Sequence, residues 1–346
     1  MNQPKIRAIL FALLAAVFYA VNVPVSKLLL ERIGPTMLAA LLYLGAGLGI
    51  GLLWLCNPKD RAKAEKLNKK DLPFVIGMIV LDIAAPIFLM LGIRYGNASS
   101  ASLLGNFEIV ATTVIALLVF REAVSGRLWL AVGLITLASA LLSFEGAESF
   151  RLSTGSLLVL LAASCWGLEN NCTRKISSKS TYEIVILKGV FSGLGALVIA
   201  LLRGEEFPAA KWIGAALVLG FVAYGLSIFL YVRAQSTLGA AKTSAYYAVA
   251  PFIGAALSFA FLREKLSALY LAALAMMIAG TALVVIDTLK RRHTHLHTHT
   301  ITHTHDGTTH THTVTHEHPH NHYLSEGEHR HHHELHHSHS EQELNL

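Results

Sequence analysis

Histidine is absent from the first 292 residues of this 346-residue chain, and Asp, Glu, Lys and Arg together supply only 14% of it. Soluble domains carry about 25% charged residues, so the shortage excludes an ordinary water-soluble fold, and a mean hydropathy of +0.52 points the same way. Without imidazole, most of the chain is poorly equipped to ligate zinc. Cysteine is equally thin. Cys56, Cys165 and Cys172 form neither a paired framework nor a closely spaced metal motif and lie in or beside apolar segments, so they read as ordinary membrane-helix residues. What is present is apolar: 53% of residues are hydrophobic, and the net charge of +6 sits in short clusters between apolar runs. That pattern suits anionic lipid headgroups and argues against a nucleic-acid partner.

A bilayer core takes about 20 apolar residues per helix. On that measure the chain divides into ten runs, near residues 6–30, 36–56, 72–94, 98–120, 127–144, 154–175, 182–203, 211–233, 240–262 and 267–288. Lys5 and Arg7 before an apolar stretch resemble a signal peptide, but the run continues through Val23-Pro24-Val25 with no small-residue cleavage site, so it reads as a retained first helix. With the N-terminus inside, the cytoplasmic side receives the cluster from Lys59 to Lys70, then Arg121, Arg127, Arg174, Lys175, Lys179, Arg233 and Lys290 to Arg292. The other side receives only Arg32, Arg94, Arg151, Arg203, Lys211, Arg263 and Lys265. The excess places both termini in the cytoplasm of a cell bounded by this inner membrane.

Two internal matches indicate duplication. Residues 15–27, AAVFYAVNVPVSK, align with 162–174, AASCWGLENNCTR, and Phe120-Arg121-Glu122 aligns with Leu262-Arg263-Glu264. An odd number of helices per copy makes the copies inverted in the membrane, a device of transporters that hold substrate near the midplane. With this two-fold five-helix layout, the Trp166-Gly167 segment with its counterpart Tyr19-Ala20, and the two Arg-Glu turns, the sequence resembles the EamA branch of the drug/metabolite transporter superfamily over residues 6–288. The resemblance implies ten helices, no ATPase domain and no enzymatic activity. It also implies gradient-driven export or exchange of small metabolites without a cofactor. One departure is that Pro251 in the ninth run has no proline counterpart around Glu108 in the fourth, so the two gates are expected to hinge differently.

Charged side chains at mid-membrane cost about 2.5–3.5 kcal/mol each on insertion scales, so those present need a reason. Asp82 and Glu108 fall about ten residues into their runs, near the midplane on the stated boundaries. Burial disfavours a charged carboxylate, so such an acid can take up a proton on one side and release it on the other. Glu169 and Asn170 follow Trp166 in a polar stretch that lines a cavity or approaches the interface, and Asn22 occupies the matching place in the first half. Lys188 either serves the pathway or snorkels to the interface, and Lys27 and Lys242 are expected at the interface. Asn106 stands about 200° from Glu108 on a continuous helix, so one of the two is expected to pack rather than face the cavity. Tyr246 and Tyr247 precede Pro251, where a missing donor can loosen the helix. Gly45, Gly47, Gly49, Gly51, Gly189, Gly193 and Gly195 read as sites of close helix approach.

The tail carries all the histidines: His293, His295, His297, His299, His303 and His305, then His310, His312, His316, His318, His320 and His322, then His329, His331, His332, His333, His336, His337 and His339. With Glu317, Glu326, Glu328 and Glu334 among them they offer interchangeable ligand sets for zinc, nickel or copper. Low complexity and the lack of a hydrophobic face argue against a metal-free fold here.

The sequence therefore predicts an all-α integral membrane protein of ten transmembrane helices in two inverted five-helix repeats, 1–144 and 145–292, followed by a disordered cytoplasmic His-rich tail, 293–346. The expected function is secondary transport of small metabolites, with divalent metal bound at the tail, a lipid bilayer around the body, and a homodimer compatible with the sequence. Metal-ion export and metal sensing without transport are the competing readings.

Overall fold

The computed structural model describes residues 3–56, 65–120, 125–144, 152–176, 179–238, 243, 246–264, 266–305 and 308–323. Residues up to Leu289 form one compact helical unit, and Lys290 onward forms a second. In the first unit the apolar runs become α1 (Gln3–Ala20), α2 (Asn22–Leu29), α3 (Pro35–Cys56), α4 (Leu72–Tyr95), α5 (Ala98–Leu104), α6 (Phe107–Phe120) and α7 (Gly126–Leu142). They continue as α8 (Thr154–Ile176), α9 (Thr181–Leu202), α10 (Ala210–Gly220), a π-helical segment (Phe221–Leu226), α11 (Ser227–Leu238), α12 (Ala250–Leu262) and α13 (Ala268–Leu289).

Among the described residues, seven segments are long and apolar enough to cross a membrane, and several are assembled from adjoining pieces: α1 with α2, α5 with α6, and α10 with α11 through the π-helical segment. α7 and α12 are shorter apolar helices, while α8 spans the sixth run and carries Glu169. The outer surface is studded with large apolar side chains, among them Leu52 (65% exposed), Leu118 (72%) and Leu202 (82%). Contiguous exposed apolar surface of this kind belongs against lipid. The interior is built from α3 packed on α9, α4 on α8, α7 on α13 and α1 on α11.

Four interruptions shape the bundle. α1 gives way to α2 at Val21, three residues before Pro24, whose ring lacks a donor and crowds the preceding turn. The fourth run, expected to be one helix, is divided at Gly105-Asn106. There Glu108 N and Ile109 N donate to Gly105 O (3.1 Å) and Asn106 O (3.0 Å), three residues back instead of four. No proline is needed, because glycine's low helix propensity already weakens this point. The π-helical segment interrupts the eighth run, and a turn at Ala248-Val249 precedes Pro251 at the start of α12.

The expected glycine contacts are present where α3 meets α9. A Cβ on Gly47 would lie 2.6 Å from Val190 N, whereas one on Gly51 would meet nothing within 4 Å. Gly47→Leu is therefore expected to cost about 1–3 kcal/mol or more through overpacking, and Gly51→Leu to be tolerated. Thermal unfolding midpoints of the detergent-purified variants check this, and equal midpoints would contradict the packing account.

The tail departs from the expected disorder over its described part. β1 (Lys290–His305) and β2 (Thr308–Tyr323) pair antiparallel in unbroken register, from Lys290↔Tyr323 to His305↔Thr308. The physical reason is alternation of period two, with threonine, isoleucine and valine supplying β-branched residues. Asp306-Gly307, between the strands, is a pair favoured in two-residue hairpin connections. His329 to His339, Lys242, and Arg121 with Glu122 lie outside the described residues.

Candidate functional site

The four interruptions surround one cavity of about 930 Å³. Tyr19 and Ala20 reach it from the end of α1, Gly105, Asn106 and Glu108 from the α5–α6 junction, Tyr224 from the π-helical segment, and Tyr247, Ala248 and Pro251 from the start of α12. Irregular backbone at membrane depth is tolerated where it lines such a cavity. Of the residues singled out in the sequence, Asn106, Glu108, Trp166, Glu169, Asn170, Lys188 and Pro251 line it. Asn22, Asp82 and Tyr246 are not among the lining residues, although Asn22 and Asp82 each bond to a side chain that is.

Charge is concentrated on one wall. Lys188 Nζ, on α9, lies 3.1 Å from Asp82 Oδ2 on α4 and 3.1 Å from Glu169 Oε1 on α8. Asp82 is wholly buried and Glu169 nearly so (1% exposed). Tyr43 Oη donates to Asp82 Oδ1 at 2.9 Å, Trp166 Nε1 donates to Tyr43 Oη at 3.2 Å, and Thr173 donates to Glu169. Lys188 thus does not snorkel, because two acids on two other helices hold it inside. A buried ion is tolerated when it is paired and its remaining valences are hydrogen-bonded.

Glu108 is placed differently. It sits in the first turn of α6, where the helix dipole favours negative charge, and accepts from Asn170 Nδ2 at 2.5 Å. No cation lies in an ion pair with it among the described residues. The expectation that Asn106 and Glu108 could not both face the cavity is overturned by the break at Gly105-Asn106, which voids the angular relation of a continuous helix. Both residues line the cavity.

Five tyrosines that sequence reasoning did not gather form a continuous wall of rings that runs from the charged cluster, which Tyr43 joins. Ring centroids are 5.3 Å apart for Tyr43 and Tyr224, 6.0 Å for Tyr224 and Tyr19, 5.9 Å for Tyr19 and Tyr247, and 5.2 Å for Tyr247 and Tyr231. Tyr224 Oη accepts from Asn22 Nδ2 at 2.9 Å, and Tyr247 Oη lies 3.2 Å from Ser227 Oγ. Tyr247, not Tyr246, is the member of that pair in the cavity. Isolated aromatics inside otherwise aliphatic runs were the only sequence signal, and each sits on a different element.

One end of the cavity is lined by Thr181, Tyr231, Val232, Val284 and Val285, near the ends of α9, α11 and α13. Beside that end, the Glu65 carboxylate hydrogen-bonds Lys179 and holds its ammonium pKa above the usual lysine range. At the opposite end the α4–α5 junction is clamped by two charges. Lys27 Nζ donates to Ile93 O (2.6 Å) and Gly96 O (2.7 Å), while the Glu264 carboxylate accepts from Ala98 N (2.7 Å) and Ser99 N (2.9 Å). Arg263 adopts a left-handed conformation (φ 52°) next to it, a conformation that costs a non-glycine residue about 1–2 kcal/mol. Lys27 was expected to snorkel. The bare carbonyls at the C-terminus of α4 anchor it at this end of the bundle.

An apolar-surfaced helical bundle with broken helices around a cavity lined largely by apolar and aromatic residues and a few charged ones is the architecture of a membrane transporter. The comparisons are specific: the model of the EamA-like transporter family matches residues 6–144 and again 153–286. The chain belongs to that family, within the drug/metabolite transporter superfamily. It is similar to an uncharacterized transporter of Methanothermobacter thermautotrophicus, with 26% identity over 272 residues covering 73% of this chain and 78% of that protein. It is also similar to the uncharacterized transporter YyaM of Bacillus subtilis, with 20% identity over 213 residues, 57% of this chain and 68% of that one. Among the solved structures that match, one crystal structure has a TM-score of 0.58 at 15% identity, over 80% of this chain and 94% of the other, and speaks to the fold alone.

Proposed function

We propose that this protein is a secondary exporter of small metabolites that works by alternating access. On this reading ten crossings form two inverted halves, 1–144 and 145–292, with both termini on the cytoplasmic side of the inner membrane. The observation that carries it is the coincidence of four helix interruptions on one cavity, since such breaks let segments pivot around a fixed site. The cavity reaches the end of the bundle that carries the basic loops, and the Lys27 and Glu264 clamp closes the other end, which describes an inward-facing state. Glu108 is the coupling carboxylate, because it lines the pathway without a paired cation among the described residues. Asp82 and Glu169 hold Lys188 and complete the wall.

The tail is proposed to bind zinc, nickel or copper and to report metal to the carrier. Its register supports this, setting His293 opposite His320, His295 opposite His318, His297 opposite His316 and His303 opposite His310. Metal export is the competing reading. It is disfavoured by a body without histidine, in which Asp82 and Glu169 are committed to Lys188.

Reconstituted vesicles test the function. Flux of at least one member of a broad metabolite panel, retained after deletion of residues 293–346, is expected, and a panel with no flux would remove the transporter reading. Titration calorimetry of the full chain and the deletion with zinc, nickel and copper is expected to give binding only with the tail. Equal heats from both would dismiss the tail site.

A further inference from the structure

The cavity's own walls point to the chemical class of its solute, an inference that rests on the transporter reading. Glu108, Glu169 and Lys188 are the charged side chains among the described residues that line it, and Asp82 stands behind Lys188. Lys188 is already shared by two carboxylates, so three acids face one cation here, and Glu108 is the acid that meets the open space outside an ion pair. Tyr19 and Tyr247 lie within electrostatic reach of Glu108 and touch each other at 5.9 Å between centroids. The hydroxyls of Tyr43, Tyr224 and Tyr247 engage protein groups, so these three offer a solute chiefly ring surface. Ring faces attract cations electrostatically, by about 0.5–1 kcal/mol when exposed and about 2 or more when desolvated. An anion would meet Glu108 and Glu169 with no unpaired cation among the described lining residues to receive it, whereas a cation would give Glu108 a charge partner beside the one hydrogen bond it takes from Asn170.

We propose that the cavity binds an organic cation, an ammonium or quaternary ammonium group carrying an apolar body. The charged head lies against Glu108 and the faces of Tyr19 and Tyr247, and the apolar body lies along Tyr224 and Tyr43. A volume of about 930 Å³ accommodates such a molecule, since sites for drug-sized ligands run from about 300 to 1,000 Å³.

The test is isothermal titration calorimetry of the intact purified chain with three probes of similar size: benzyltrimethylammonium, benzyl alcohol and phenylacetate. The cation is expected to bind about tenfold or more tightly than either other probe, the ratio that corresponds to about 1.4 kcal/mol. Glu108→Gln and Tyr19→Leu with Tyr247→Leu should each reduce that preference, and Tyr247→Phe should recover what Tyr247→Leu loses. If a variant fails to fold, the ranking of the three probes on the parent protein still decides. Phenylacetate or benzyl alcohol binding as tightly as the cation overturns the proposal, as does cation affinity that survives loss of both the rings and the carboxylate. Tight cation binding without flux in vesicles would sink transport and keep this inference. Flux of an anionic solute with no cation binding would do the reverse.

Discussion

Lys188→Met is expected to destabilise the protein by about 3–5 kcal/mol, the range for removing one partner of a buried ion pair. The substitution keeps much of the volume but leaves Asp82 and Glu169 facing each other across the space that the ammonium filled at 3.1 Å from each. Asp82 is wholly buried and Glu169 is 1% exposed at the cavity wall, and Tyr43 and Thr173 supply single hydrogen bonds that do not neutralise them. Replacing all three together, as Lys188→Met with Asp82→Asn and Glu169→Gln, removes every uncompensated charge and should recover most of the loss. Midpoints of denaturant-induced unfolding in mixed micelles measure both. A single variant as stable as the parent would show that the triad is not the closed electrostatic unit described here.

On the coupling role proposed for Glu108, Glu108→Gln is expected to remove the pH-driven component of flux while leaving the fold intact. Glutamine keeps the shape and can still accept from Asn170, so what disappears is titration. In vesicles loaded with a transported solute, an imposed pH gradient should then drive no more flux than in empty vesicles, while exchange at equal pH persists. Asp82→Asn should instead lower stability, since it disturbs Lys188. Flux that stays pH-coupled in the Glu108→Gln, Asp82→Asn double variant would rule out both acids as the coupling site.

The apolar runs were legible because the length a bilayer demands is written directly into composition. Asp82, Glu108, Glu169 and Lys188 stood out individually for the same reason, as charges where charge is expensive. Their pairing was not legible. It depends on how α4, α8 and α9 pack, and apolar periodicity is silent about neighbours when every face of a helix is greasy. The break at Gly105-Asn106 also escaped notice, because one glycine in an apolar run weakens a helix without marking its end. Pro251, by contrast, announced its interruption, whereas the run through Pro24 was read as one continuous first helix. The tyrosine wall draws single residues from α1, α3, the π-helical segment, α11 and the approach to α12, which no linear motif can gather. In the tail, histidine content drew attention to ligands, while the period-two alternation and Asp306-Gly307 carried the hairpin signal.

The central claim is that one cavity is exposed in turn to the two sides of the membrane, and cysteine labelling at Thr112 tests it most directly. Thr112 lines the cavity, and the three native cysteines can be replaced by alanine to give a single reactive site. In oriented vesicles, a membrane-impermeant thiol reagent should label Thr112→Cys from the side of the basic loops in the resting protein. Labelling from the opposite side should appear when Lys27→Met and Glu264→Gln release the α4–α5 junction. Labelling confined to one side, whatever the state of that clamp and whatever solute is present, would contradict alternating access.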